Sequence, residues 1–260
     1  MLSPDLHSLG FDFSEWNDLK EAILNKKLLT VVDVGPFKGV SLYQDESDAA
    51  IGLFGYKEDP VCTTPSLRGV AGYHVKGYQI YPALALLEVY DSWGENTHRL
   101  FAFVDDPHCY PIYDFEKQQE VAEYEDYRFS AVALDVTVYP SVDEWEKHQT
   151  PLGVSNSFTQ DSAEEMFIGP TFMTSLSLFS LSRGECASAD ADATTWFKAV
   201  VKNAELRINN MTGQKWWRCE ADSGLELTVA LPADIQPEPK AGSVIDGYVL
   251  LLGSSGYWEG

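Results

Sequence analysis

Basic residues are scarce in this 260-residue sequence: 18 Lys and Arg stand against 40 Asp and Glu, which gives a formal charge of −22 at pH 7. Cationic proteins bind nucleic acids and anionic membranes by displacing their counterions, and an acidic protein cannot displace them. The excess of negative charge therefore argues against nucleic acids and anionic membranes as partners. Acidic residues exceed basic ones in both halves of the sequence. We therefore expect an acidic protein whose natural partner is a basic protein.

Long apolar runs and paired cysteines are also missing. No run reaches about 18 apolar residues, so no helix is predicted to span a bilayer. The start, Met1-Leu2-Ser3-Pro4-Asp5, has neither the basic nor the apolar block of a signal peptide. The four cysteines lie tens of residues apart without a C-x-x-C pair, which fits neither a zinc knuckle nor a dense disulfide framework. These absences predict a cytoplasmic protein with free thiols.

Motifs that encode a mechanism through their spacing are absent as well. The sequence has no G-x-x-x-x-G-K-[ST] loop, no G-x-G-x-x-G turn, no G-x-S-x-G elbow and no H-E-x-x-H pair. Their absence removes the commonest nucleotide-binding, hydrolase and zinc-protease interpretations. An enzyme assembled from scattered residues stays possible, because such a site leaves no linear trace.

The residues that are present predict an α+β fold that is predominantly antiparallel β, with few short helices. Hydrophobic residues make up 45% of the sequence, which is enough for a core. Helical spacing over residues 14–28 predicts one helix, and the capping box of Ser141 and Glu144 predicts a short second one over residues 142–148. Residues 81–90 are compatible with either a helix or a buried strand.

The C-terminal part predicts a small barrel or a curled sheet. Apolar residues alternate over residues 225–231 until Pro232 ends the strand. Between Val201 and Ala204 the apolar residues change from odd to even positions, which is typical of a β-bulge. Gly247 lies inside the last predicted strand, where a backbone must bend or be approached closely.

Two domains are one interpretation of the whole sequence. Residues 1–150 would form an acidic α+β domain and residues 151–260 a mostly β domain, joined by a polar linker over residues 149–162. A single domain remains the alternative.

The best candidate for chemistry is Asp105-Asp106-Pro107-His108-Cys109, which follows a predicted strand. Carboxylates and an imidazole at a strand end could hold a divalent cation, so Asp105, Asp106 and His108 form a candidate metal site of a hydrolase or lyase. Such a site needs distant ligands, for which His74, His98 and Glu123 are available. The alternative is an acidic turn in which Asp106 bonds its own backbone.

A second candidate is the aromatic pair Trp216 and Trp217 with the neighbouring Arg218. Exposed Trp beside Arg suits a glycan, a small molecule or a protein partner. Core packing on one side of the strand and edge coverage on the other is the alternative.

The third candidate is the acidic stretch over residues 105–126, in which Lys117 is the one Lys or Arg among eight acids. It could form a cation site, a docking face for a basic partner or a plain solvated surface. The charge alone favours an acidic interaction protein over the metal enzyme and the glycan or small-molecule binding module.

Overall fold

The computed structural model describes residues 3–114, 120–151 and 167–259. These residues are mostly strand with a few short helices, which confirms the predicted β-rich α+β class. The helices are α1 (Pro4–Ser8), α2 (Trp16–Leu24), α3 (Val142–Glu146) and α4 (Leu176–Ser182). The strands are β1 (Leu29–Val34), β2 (Phe37–Gln44), β3 (Ala49–Tyr56), β4 (Cys62–Leu67), β5 (Val70–Tyr81), β6 (Leu84–Tyr90), β7 (Asn96–Val104), β8 (Ala122–Tyr139), β9 (Phe172–Ser175), β10 (Thr194–Ile208), β11 (Lys215–Asp222), β12 (Glu226–Pro232) and β13 (Val244–Ser254).

The strands form two sheets. The first is a four-stranded antiparallel sheet in the order β1-β2-β3-β4. The second is a nine-stranded mixed sheet in the order β11-β12-β8-β5-β6-β7-β13-β10-β9, with further pairings between β11 and β10 and between β8 and β13. Most neighbours are antiparallel, and the parallel pairs in the mixed sheet are β12 with β8 and β7 with β13.

The extra pairings curl the mixed sheet into two rings that share β8 and β13. The C-terminal ring runs from β8 through β13, β10, β11 and β12 back to β8. The other ring runs from β8 through β5, β6, β7 and β13 back to β8. A short parallel pairing completes each ring, so closure is partial. The C-terminal ring confirms the predicted curled sheet.

The central strands bury both faces, each in a different hydrophobic core. Leu87 and Leu251 lie in the core that the rings surround, whereas Leu86 and Leu250 lie in the core between the rings and the N-terminal elements. A strand buried on both faces needs apolar residues at successive positions and loses its alternation. This explains why residues 81–90 resemble a helix as much as a strand, although Leu84–Tyr90 is β6.

Both irregularities predicted in the C-terminal strands are present. The register of β10 on β11 shifts between Val201 and Asn203, which is the predicted bulge. Gly247 has a φ of +149°, and a Cβ there would lie 2.2 Å from the carbonyl oxygen of Asp135. The backbone of β8 therefore approaches β13 closely at Gly247, and this approach is possible because glycine has no Cβ.

The predicted helices are present but shorter than expected. Helix α2 ends at Leu24, because the chain continues into β1 from Leu29, and it buries Leu19 and Ile23 while Trp16 is 52% exposed. Helix α3 begins after Ser141, whose Oγ accepts a hydrogen bond from the backbone N–H of Glu144, as the capping box predicts. Helices α1 and α4 were not predicted.

The mixed sheet contains strands from both sides of the predicted boundary at residue 150. Residues 152–166 are outside the described part of the chain, and most of the linker predicted over residues 149–162 lies among them. The division into two domains therefore stays a prediction. Among the described residues no helix is both long and apolar enough to cross a membrane.

Candidate functional site

The predicted metal ligands Asp105 and Asp106 lie at the end of β7, where they connect three parts of the fold. Asp105 accepts a hydrogen bond from Ser66 Oγ of β4 at 2.5 Å. Asp106 is fully buried and accepts hydrogen bonds from the backbone N–H of Ser255, at 2.9 Å, and from its Oγ, at 2.6 Å. This aspartate pair thus ties the end of β7 to β4 and to the segment after β13.

Burial changes the ionisation of the aspartate pair. Loss of hydration, and then the charge of Asp106, raise the pKa of Asp105 to about 7. Burial also raises the pKa of Asp106, although the hydrogen bonds from Ser255 oppose the rise. The Oδ1 atoms of both residues are buried without a hydrogen-bond partner. The cavity beside Asp105 measures about 20 Å³, which is room for a water molecule and not for a substrate.

His108 forms no hydrogen bond with the aspartate pair, and the metal site predicted for these three residues stays a prediction. Its ring lies against Tyr257 and Trp258, at centroid distances of 4.4 and 5.8 Å, and burial lowers its pKa. Among the described residues, the ligand atoms of Asp105, Asp106 and His108 do not gather as a metal-binding group. The physical reason is that Asp105 and Asp106 turn to different partners, Ser66 and Ser255.

Two residues of the second predicted surface, Trp216 and Arg218, contact the turn between β2 and β3, whereas Trp217 is half-buried elsewhere. Trp216 is 0% exposed, and its Nε1 donates to Ser47 Oγ of that turn at 3.4 Å. Arg218 pairs with Asp48 of the same turn at 3.3 Å, and Trp217 packs against the ring core. Trp216 therefore contributes no surface, and Arg218 is already neutralised by a carboxylate.

An acidic end of the molecule is formed where β5, β7 and β8 begin and β6 ends. His74 of β5 pairs with Tyr90 of β6, and their ring centroids are 5.5 Å apart. Tyr73 reaches the other ring, because its OH contacts the backbone of Glu226. We define the acidic end by the carboxylates of the β6–β7 turn, of the start of β8 and of the β11–β12 turn, with two lysines that pair with some of them: Asp91, Glu95, Glu123, Glu125, Asp222 and Glu226, with Lys76 and Lys202.

The two ammonium groups are already engaged by these carboxylates. Lys76 Nζ lies 3.2 Å from Glu123 Oε1, and Lys202 Nζ lies 2.5 Å from Glu226 Oε1. Hydrogen bonds from His74 and then Lys76 lower the pKa of Glu123, so this carboxylate is ionised at neutral pH. The acidic end therefore presents a surplus of negative charge to the solvent.

One aromatic side chain projects from the acidic end. Trp93 lies in the turn between β6 and β7 and is 85% exposed. Asp91 Oδ1 accepts hydrogen bonds from the backbone N–H groups of Trp93 and Glu95, both at 2.9 Å. Gly94 supplies the positive φ of +83° that the turn requires. Hydrogen bonds within the turn therefore hold its backbone, while its largest side chain, Trp93, faces water.

Sequence reasoning missed Trp93, although a signal was available. Asp91-Ser92-Trp93-Gly94 has the Asp and Gly positions of a β-turn, and it separates two apolar strands. A Trp at an inner position of such a turn has little core within reach. Within the predicted acidic stretch, Glu123 and Glu125 are exposed, whereas Asp105 and Asp106 are buried and do not belong to the surface. Glu116 and Lys117 lie outside the described residues.

Searches against protein-family models, curated proteins and solved structures found no match to this chain.

Proposed function

We propose that this protein is an interaction protein that binds a basic protein partner through its acidic end. The observation that carries the proposal is Trp93, which is 85% exposed on a braced turn among carboxylates. An exposed Trp is the residue type that most often dominates binding energy, and its ring face also attracts Arg and Lys.

The distribution of charge supports the proposal. Among the described residues, the only acids buried in the fold are Asp45, Asp105 and Asp106. The remaining described carboxylates are at least partly exposed, so the negative charge faces outward. Such a field speeds the approach of a cationic partner and disfavours acidic competitors.

The rigidity of the turn also favours binding. Three hydrogen bonds to Asp91 hold the backbone around Trp93, including one from the N–H of Gly94 to the Asp91 carbonyl at 3.0 Å. A preformed turn loses little conformational entropy when a partner covers it. We expect Trp93 to insert between cationic side chains of the partner while the surrounding carboxylates pair with them.

The four cysteines support a cytoplasmic setting for this interaction. All are free thiols, and Cys219 is buried inside the fold. Free thiols suit a reducing compartment, where disulfides are rare. The proposal therefore includes a cytoplasmic partner.

The test is a comparison of matched variants. Wild type, Trp93→Ala and Trp16→Ala are immobilised, and basic proteins retained at low salt are identified and measured by titration. Trp16 is the matched control, because it is exposed on α2, away from the acidic end. A partner bound through the proposed surface should lose about 30-fold in affinity with Trp93→Ala, a hot-spot loss of about 2 kcal/mol. It should lose none with Trp16→Ala.

Salt and charge reversal give the second readout. Affinity should fall steeply as the salt concentration rises, because the contact is between opposite charges. Glu95→Lys should weaken binding, whereas Glu58→Lys, at the exposed turn between β3 and β4, should change it little. Partners that bind all variants equally, or that bind independently of salt, would contradict the proposal.

A further inference from the structure

Three potential metal ligands meet on neighbouring strands at the acidic end. His74 lies on β5, and Glu123 and Glu125 lie two residues apart on β8, which pairs with β5. The register of this pair shifts between Tyr73 and Val75, at the position of His74. One ligand atom from each residue lies within 4.8 Å of the others, the one such group among the described residues.

We infer that His74, Glu123 and Glu125 form a binding site for a divalent transition-metal cation, with Zn²⁺ as the best fit. One imidazole nitrogen and two carboxylate oxygens are a donor set that Zn²⁺ accepts. This site goes beyond the proposed partner binding, because it requires no second protein.

The distances fit such an ion after small side-chain movements. His74 Nε2 lies 2.6 Å from Glu123 Oε1 and 4.0 Å from Glu125 Oε1. Zn–N and Zn–O bonds of about 2.0–2.2 Å in a tetrahedron place ligand atoms roughly 3.4 Å apart. The two observed distances lie on either side of that value. Three protein ligands leave the fourth position of the tetrahedron to water.

Neighbouring side chains affect the site in two ways: Tyr90 supports the His74 imidazole, and Lys76 competes with the ion for Glu123. The His74 ring rests against Tyr90, and both glutamates lie on β8, so neighbouring strands hold the backbone of all three ligands. Lys76 Nζ lies 3.2 Å from Glu123 Oε1, and its positive charge opposes a cation at that oxygen. Removal of this ammonium group should therefore tighten metal binding, the opposite of removing a ligand.

The test is calorimetric titration of Zn²⁺ into the tag-free 260-residue chain at about pH 7.5, because protons compete with the ion for its ligands at lower pH. The Cys62→Ser variant serves as the parent, because the Cys62 thiol is exposed and would compete for the ion. We expect one equivalent to bind. His74→Ala and Glu125→Gln should each weaken binding at least 10-fold, since even changes around metal ligands have effects of that size.

Two further variants make the test specific. Lys76→Met should bind Zn²⁺ more tightly than its parent, whereas His148→Ala should bind it equally. His148 is an exposed histidine just after the end of α3, and its ring contacts the backbone carbonyl of Glu144 rather than a carboxylate. Absence of Zn²⁺ binding at millimolar metal, or binding that persists in His74→Ala, would overturn the inference. Either result would leave the proposed partner binding open, because Trp93 is not a ligand.

Discussion

Replacing Asp105 by Asn should make the protein more stable in mildly alkaline solution and leave it unchanged in acid. Asp105 is buried at the end of β7 beside a second buried carboxylate, Asp106, and its pKa is raised to about 7, first by burial and then by that charge. Asn resembles the protonated form of Asp in shape and charge. It can still accept the hydrogen bond that Ser66 Oγ donates to Asp105 Oδ2.

The sign of the effect follows from the direction of the pKa change. The folded pKa lies above the ordinary value of 3.8, so between about pH 4 and pH 7 the folded protein binds this proton more tightly than the unfolded chain does. The contribution of Asp105 to stability is thus full below about pH 4 and is lost as the pH rises to about 7. At 1.36 kcal/mol per pH unit, the loss is at most ~4 kcal/mol.

Urea denaturation followed by Trp fluorescence, repeated from about pH 4 to pH 8.5, measures this effect. The free energy of unfolding of Asp105→Asn should exceed that of wild type by up to ~4 kcal/mol at the alkaline end and match it at the acid end. Asp59→Asn, at an exposed position, is the control and should show no such divergence. If the difference between Asp105→Asn and wild type is the same at every pH, or grows towards acid, the proposed ionisation of the aspartate pair is wrong.

Two other substitutions test further parts of the fold. Burial alone would raise the pKa of Asp45, but hydrogen bonds from the backbone N–H of Asn210, from Ser47 and from the Tyr43 hydroxyl lower it. Asp45→Asn should therefore cost ~2 kcal/mol in free energy of unfolding at neutral pH, and the cost should shrink as the pH falls below about 4 towards the lowered pKa of the folded protein, which urea denaturation at two pH values can check. Gly247→Ala should lower the free energy of unfolding by at least ~2 kcal/mol, because the new methyl group would collide with the Asp135 carbonyl. Gly242→Ala has open space and a positive φ, so it controls for backbone strain alone, and an equal effect of both substitutions would contradict the close approach.

Local signals in the sequence were sufficient for the C-terminal strands. The strand end at Pro232, the change of parity after Val201 and the glycine at position 247 each depend on a strand's own geometry, and the structure contains all three features. The alternation before Pro232 predicted one polar face, but β12 is buried on both faces from Leu227 to Leu231. Ser141 likewise predicted its helix, since a capping box involves residues three apart.

Contacts between distant residues could not be predicted. Asp45 accepts the N–H of Asn210, 165 residues away, and this docking buries Trp216 under the β2–β3 turn. No local pattern distinguishes such a Trp from an exposed one. The sequence singles out the aspartate pair as a metal site, which stays a prediction, but its partners Ser66 and Ser255 lie far along the chain, so no local pattern shows that the pair connects β7 to β4 and to the segment after β13.

The sharing of β8 and β13 between both rings affects how the chain can fold during synthesis. Residues 244–254 form β13, which follows all the other strands along the sequence and which each ring needs for its closure. A ribosome therefore releases β5, β6, β7, β10, β11 and β12 before any of them can join a completed ring. Until then the edges of β7, β8 and β10 that pair with β13 are unsatisfied and open to wrong pairing, which exposes a nascent chain of this topology to misfolding.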